Sequence, residues 1–338
     1  MTLYNICCIK CGAKVGTRDL RISHRCPTTP PPPPVEPPPP PPPVEPPPPT
    51  GTLTVRSSGM DDSAAINRAM VDVRAGGGGI VYLPDALYTL AADGPELKPT
   101  SNPYHASLIL QSGVTLRGAG AAATKLMRAA SGYTSTFGSN GVIDNWGVES
   151  LSGTTNRTSN SNGDDGIKLF GCTNGHMTNV QIGTDAAHEF NTTYMFYGCR
   201  NLVLTDCRSF GRSGNIGGFV VGNWQSEFLT DGVKFIRCDS TVMGSNGLPY
   251  AFAVYNESAS WPRIKNVTFE ACTAHDCAKG WYFNYVSRPT VVSCKCVNVS
   301  EWQWYLTNVD NLWFAGNTEN GVAAKFDNGG NVTTRTAQ

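Results

Sequence analysis

The chain has 338 residues, 26 Lys+Arg against 26 Asp+Glu, 36 glycines, 24 prolines and 12 cysteines. The charge balance leaves no electrostatic footprint for a phosphate backbone, which excludes a nucleic-acid partner. No apolar run approaches the length that crosses a bilayer, and Leu3 to Ile9 is too short and too cysteine-rich to be the apolar part of a signal peptide, so no membrane span and no signal-directed export are expected.

The first 26 residues hold Cys8-Ile-Lys-Cys11-Gly12, a pair spaced by two residues and followed by glycine, the shape of a zinc knuckle. His24 and Cys26 supply the remaining ligands of a structural zinc, with Cys7 as a substitute; the alternative is a disordered or oxidised terminus. A segment this small needs the metal to fold. Residues 27–51 follow, and from Pro27 to Pro48 they are almost pure proline broken by Val-Glu pairs. Such a stretch builds no core, and as polyproline II it spans on the order of 65 Å at about 3.1 Å per residue. The reading is a stiff spacer; a floppy linker or a ligand for aromatic grooves is the alternative.

From residue 52 the pattern changes. Asp61-Asp62-Ser63 carries carboxylates suited to capping a helix, and Ile66, Met70 and Val73 repeat at helical spacing. The glycine run Gly76 to Gly79 ends that helix, and Ile80-Val-Tyr-Leu-Pro84 and Tyr88-Thr-Leu90 read as the first strands.

Four phrases of one shape then close on cysteine: Asn201-Leu-Val-Leu-Thr-Asp-Cys207, Gly232-Val-Lys-Phe-Ile-Arg-Cys238, Asn266-Val-Thr-Phe-Glu-Ala-Cys272 and Arg288-Pro-Thr-Val-Val-Ser-Cys294. Two further copies end on Val180 and Asn317. The intervals between closing residues, 27, 31, 34, 22 and 23, are too irregular for helical repeats, whereas period-two alternation with variable excursions indicates short strands stacked in a solenoid. Two inward columns are expected: Leu169, Phe196, Val221, Val254, Phe283, Leu306 and Phe326 in one, and Met177, Leu204, Phe235, Phe269, Val291 and Phe314 in the other. Asn223, Asn256, Asn308 and Asn328 are expected to form an amide ladder at a turn. The eight cysteines after residue 52 are read as buried free thiols in a protein made in a reducing cytoplasm, although coil spacing would also permit disulfides.

Together, the Asp-Asp-Ser start, the glycine run, the Val-Tyr-Leu-Pro strand and the stacked phrases resemble the pectin-lyase-like superfamily and the β-helices of phage tailspikes. The resemblance covers residues 52–338 and implies an all-β fold, a right-handed single-stranded parallel β-helix whose helix caps the open core. For tailspikes it also implies a homotrimer. Asp164-Asp165, Gly175-His176 and Arg263-Ile-Lys265 follow the motif order of family 28 polygalacturonases. Eleven residues separate Asp165 from His176, about half a coil, which puts them on different faces.

For function, outward rings at Tyr197, Tyr255, Tyr282 and Tyr305 with Asn284, and tryptophans at Trp224, Trp261, Trp281, Trp302 and Trp304, suit the mixed faces of sugars; packing under loops or against a neighbouring subunit is the alternative. Asp185, His188 and Glu189 form the densest titratable cluster and are the candidate catalytic residues, while Asp206 and Arg237 are expected to adjoin across coils. An anchor, a rod and a β-helix lead to a virion tail protein that binds, and if an enzyme depolymerises, a host surface glycan, with other tail or baseplate proteins contacting the N-terminus. A secreted pectin-lyase-like hydrolase, lyase or epimerase and a non-catalytic particle component are the alternatives.

Overall fold

In the computed structural model, the described residues are 6–7, 14–15 and 51–335, apart from 92–93, 96, 98–103, 130–133, 157–164, 184–188, 224–227, 243–249 and 257. The chain divides into two compact units, Met1–Pro46 and Pro47–Gln338, with the division inside the proline run. In the first, Ile6–Cys7 pairs antiparallel with Lys14–Val15.

The second unit is a right-handed parallel β-helix whose coils pass through three sheets. Sheet I runs from Thr52–Thr54 and Gly79–Leu83 through Val203–Thr205 to Trp313–Ala315. Sheet II runs from Ala86–Leu90 through Asp239–Val242 and Thr273–His275 to Thr318–Glu319. Sheet III runs from His105–Leu110 through Tyr250–Tyr255 to Trp302–Asp310 and Asp327–Asn328.

The repeating phrase is one strand of sheet I and the bend into sheet II. Its first and sixth residues adopt left-handed backbone angles, as at Asn201 (φ 52°) and Asp206 (φ 54°), and between them Leu202 and Leu204 point inward. The closing residue then enters the core: Val180, Cys207, Cys238, Cys272, Cys294 and Asn317 are all buried. Left-handed angles disfavour residues with a Cβ, and Asn and Asp tolerate them best. That explains why asparagine opens so many of the phrases.

The sheet I column from Met177 to Phe314 lies in register as expected. In sheet III, Leu169, Phe196, Val221, Val254, Phe283 and Leu306 are aligned, but Leu306 pairs with Asn328. Phe326 therefore falls two residues short of its expected place and packs edge-on against Phe314 (5.5 Å, 73°). The asparagine column is corrected too: Asn223 and Asn256 both donate to the Pro262 carbonyl instead of to each other. Coil-to-coil amide bonds occur at the phrase openings, where Asn201 donates to Asn174 (3.0 Å) and Asn174 to Asp144 (2.7 Å).

Beside these columns runs a stack of rings inside sheet III, with centroid spacings of 4.4 Å for Tyr194–Phe219, 5.1 Å for Phe219–Phe252, 4.0 Å for Phe252–Trp281 and 4.8 Å for Trp281–Trp304. Each such pair contributes about 0.5–1.5 kcal/mol beyond area burial. Trp281 and Trp304 are thus core residues, not turn residues open to sugar.

Helix α1, Ser63–Ala75, buries Ile66, Met70 and Val73. The Asp62 side chain makes no cap bond to the helix; it accepts from Ser57, from Ser58 and from the Thr89 amide (3.3 Å), while Asp61 accepts from the Ser63 and Ala91 amides. The carboxylates pin the helix to the first coils.

All eight cysteines of the β-helix are free and buried. Cys207, Cys238 and Cys272 donate to carbonyls of the preceding coil at Met177 (3.5 Å), Leu204 (3.6 Å) and Phe235 (3.5 Å). Burial pushes the Cys199, Cys238 and Cys294 thiols well up. These thiols should resist a thiol-specific reagent in the native protein and react together on unfolding in guanidinium, as read by peptide mapping; labelling of Cys207 or Cys238 before unfolding would contradict the packed column. Trp304→Ala should lower unfolding free energy by about 3–5 kcal/mol in the same titration.

Candidate functional site

The bend between sheets I and II generates a groove. Ser150, Asn179, Asp206, Arg237, Ala271 and Ser293 occupy its left-handed position in successive coils. The residue before each of them already faces outward and the residue after it is buried, so the left-handed residue adds a second outward side chain in succession and lines the corner. One step further on, Gln181, Arg208, Asp239, Thr273 and Lys295 form an outward column of sheet II, with Phe210, Thr241, His275 and Val297 two residues beyond.

Two cavities of about 650 and 400 Å3 lie on this surface and share Asn179, Gln181, Asp206 and Arg208. The smaller ends at the wide turn Gly120 to Ala123 and the larger at His275. The two together form a groove along the helix axis, about 24 Å long at roughly 4.8 Å per strand step.

Its charges are ordered by register. Asp206-Cys207-Arg208 and Arg237-Cys238-Asp239 are charge-reversed copies on neighbouring coils. Arg237 grips Asp206 through two bonds of 2.8 Å, the juxtaposition expected from the sequence, and this guanidinium holds the Asp206 carboxyl below the usual carboxylate range. Arg208 is exposed, and its guanidinium has no hydrogen bond or ion pair among the described residues. Phe210 is a half-buried ring on the groove wall without an aromatic partner among them.

At the far end, His275 Nε2 lies 2.8 Å from Asp239 and 2.7 Å from the Thr241 hydroxyl, and its Nδ1 lies 3.0 Å from Asp276. Burial acts to lower the imidazole pKa, but the hydrogen bonds accepted by the Asp276 and Asp239 carboxylates, with their charges, outweigh it and hold the group above its ordinary value. The His275 and Asn298 bonds hold Asp276 below the usual range. The groove floor is tied to the core by Tyr194, whose hydroxyl donates to the backbone carbonyls of Val180 (2.7 Å) and Arg208 (3.0 Å).

The residues first expected to act fare differently. Asp185 and His188 lie outside the described residues; Glu189 begins the strand Glu189–Tyr197, in register with Arg212. Tyr197 is corrected: it is 3% exposed and stacked on Phe170 at 5.9 Å, so no sugar reaches its face. Tyr282 stacks on Tyr250 (4.8 Å) and on Tyr305 (5.9 Å), and Tyr305 on Trp302 (5.0 Å); their faces are taken by one another, and Tyr255 leans on Tyr282 at 42°. Asn284 is half-buried in the register of Tyr255. Trp302 keeps 40% of its surface, with Lys279 5.0 Å from its ring centre. Trp224 lies outside the described residues, and Trp261 is half-buried in a turn.

Asp165 is buried against Lys168 (2.9 Å) in sheet III, while His176 pairs with Glu149 (2.8 Å) on the outer side of sheet I. The two do stand on different faces, and Arg263 bonds the Val286 and Asn308 carbonyls far from both. Among the described residues no group of three or more His, Cys, Asp or Glu could hold a metal ion, and Cys8, Cys11, His24 and Cys26 lie outside them.

No protein-family model and no curated protein matches the chain. Solved structures do. The mannuronan C-5 epimerase AlgE4 A-module of Azotobacter vinelandii superposes with a TM-score of 0.57 at 17% identity, over 78% of this chain and 76% of that one. The AlgE6 A-module of the same organism gives 0.55 at 17%, over 81% and 76%. The surface adhesin PfbA of Streptococcus pneumoniae gives 0.52 at 12%, over 84% and 79%. At these identities the likeness is one of fold, and it agrees with the three-sheet coil in making the chain a right-handed parallel β-helix.

Proposed function

We propose that this chain is the glycan-recognising head of a virion tail protein, holding host surface polysaccharide in the sheet II groove. The observation that carries the reading is Arg208, whose guanidinium has no hydrogen-bond or ion-pair partner among the described residues, on the same groove wall as Phe210, a ring without an aromatic partner among them. An unpaired guanidinium meets a sugar carboxylate through two parallel bonds, and an aromatic face takes the apolar side of a pyranose. Two of the superposed structures are modules named for epimerising mannuronan, a polysaccharide, and the third is named a surface adhesin, which supports a glycan ligand. The Asp206 carboxylate is ionised and occupied, which favours recognition over glycosidic cleavage at that position.

The tail assignment rests on the order of modules in the sequence. A zinc knuckle of Cys8, Cys11, His24 and Cys26 anchors the chain to other tail or baseplate proteins, the proline rod gives reach, and the head assembles as a homotrimer. The antiparallel pairing of Ile6–Cys7 with Lys14–Val15 brackets the first two ligands and supports the knuckle.

Titration of the full chain with polyuronates and with neutral glycans should give binding to the acidic polymers that weakens with salt. Arg208→Ala should lower affinity roughly 10- to 100-fold, the equivalent of about 1.5–3 kcal/mol for a charge-assisted bond, without changing unfolding. His275 is raised, so its positive charge is complete below its unfolded value near 6.5 and is lost as pH rises through the higher folded value. Binding should weaken over that upper window, and His275→Gln should remove the step; equal binding by wild type and Arg208→Ala would end the reading. Metal analysis should find one zinc per chain, lost in Cys8→Ser; purified protein without zinc would remove the knuckle, and absence of the chain from purified particles would remove the tail assignment.

A further inference from the structure

We propose that the His275 end of the groove is an ester-hydrolysing centre in which Thr241 is the nucleophile, His275 the general base and Asp276 the carboxylate that positions it. Its natural substrates are acyl esters on the sugars held in the groove, and to that extent it rests on the glycan reading.

The register builds the centre. Phe210, Thr241 and His275 share one outward column, so the hydroxyl and the imidazole face each other across one strand step, 2.7 Å apart at Nε2. The next residue, Asp276, takes a left-handed angle (φ 49°) that turns its carboxylate back to Nδ1 at 3.0 Å. The Asn298 side chain donates to the other Asp276 oxygen (3.0 Å), and the Asn298 backbone N–H donates to Asn320 Oδ1 (3.0 Å). Hydroxyl, imidazole and anchored carboxylate therefore stand in the order that acyl transfer requires, and Thr241, 3% exposed, and His275 both line the larger cavity. The other close histidine–carboxylate pair, His176 with Glu149, has no hydroxyl bonded to its ring and lines neither cavity.

In the reaction, Nε2 takes the Thr241 proton as Oγ1 bonds to the ester carbonyl carbon, whose oxygen becomes the oxyanion. Arg208 projects into the same cavity from the strand beside Thr241 and supplies positive charge to that oxygen. Collapse breaks the bond to the sugar oxygen, which leaves with the proton from Nε2. Water, deprotonated by Nε2, then releases the carboxylic acid and restores Thr241.

Asp239 tempers the centre. Its carboxylate lies 2.8 Å from Nε2 and favours the imidazolium, which cannot act as a base. The groups facing His275 are Asp239 and Thr241 on one neighbouring strand, Lys295 and Val297 on the other, and Asp276 and Asn298 at the turns. Hydrolysis should accordingly rise with pH as the imidazolium is lost.

The test uses the full chain with p-nitrophenyl acetate and with an O-acetylated polysaccharide. Wild type should release nitrophenolate at a rate rising above pH 6.5, and acid quenching should leave acetyl on the peptide containing Thr241. Thr241→Val and His275→Gln should lose at least about 100-fold, and Thr241→Ser should restore what Thr241→Val loses. Asp239→Asn should move the pH midpoint down and raise the neutral rate; Asp276→Asn should also move it down but lower the plateau. Hydrolysis by Thr241→Val at the wild-type rate, or no hydrolysis of either ester by wild type, overturns the proposal. Glycan binding without hydrolysis of either ester removes the centre and leaves the glycan reading; hydrolysis of the small ester without glycan binding does the reverse.

Discussion

The structure depends on one backbone constraint, the left-handed residue between sheets I and II. Each coil must turn a corner while keeping the alternation that fills the core on both sides. A single residue with positive φ does this: it carries the direction change, points outward, and lets the next residue re-enter the core. Residues with a Cβ pay roughly 1–2 kcal/mol for that conformation, yet Ser150, Asp206, Arg237, Ala271 and Ser293 all adopt it. The turn also decides where chemistry can sit. Because the closing cysteine is inward, the residues on either side of it are outward, and in two coils these are the Asp206–Arg208 and Arg237–Asp239 pairs.

The core in turn fixes the groove. Parallel coils in register place each ring on the ring below, and the stack from Tyr194 to Trp304 is continuous through five coils. Tyr194 is its one hydroxyl-bearing member, and that hydroxyl ends on the carbonyls of Val180 and Arg208 beneath the groove. The backbone that carries Arg208 is therefore held from inside. Opposite, sheet II meets the core through small polar residues: Ser209 bonds Thr193 at 2.6 Å, and a Cβ on Gly218 would lie 2.2 Å from Ser240 Oγ. A site built on such a surface is set before a ligand arrives.

Much of this was legible in the sequence, and the failures have physical causes. The inward columns could be read because a side chain's parity along a strand fixes its face. Parity cannot detect a slip of two, since Phe326 and Asn328 have the same parity, and the last coil was misplaced by that amount. Parity also says that Tyr197, Tyr282 and Tyr305 point outward but not that they are accessible; rings stacked one coil apart cover each other. Asp206 and Arg237 could be matched because both immediately precede a ladder cysteine. The His275 cluster could not be found that way, because Asp239, Thr241 and His275 meet only when strands separated by 34 residues are aligned.

Stacking also explains why the charges on sheet II vary from coil to coil. A parallel coil favours the same residue at the same level, and for rings, amides and thiols each copy stabilises the next. For charges the sign reverses: two like charges one strand step apart repel by about 0.9 kcal/mol even in water, and more where water is excluded. A β-helix can therefore be uniform inside but must vary wherever it carries charge. The corner and outward columns of sheet II do vary, with Asp206 below Arg237 and Arg208 below Asp239. Asp206 is consumed by Arg237, whereas Asp239 is drawn to His275 in the following coil and leaves the Arg208 guanidinium without a hydrogen-bond or ion-pair partner among the described residues. Asp239 thus stands between the two, in register with Arg208 on one side and bonded to His275 in the next coil on the other.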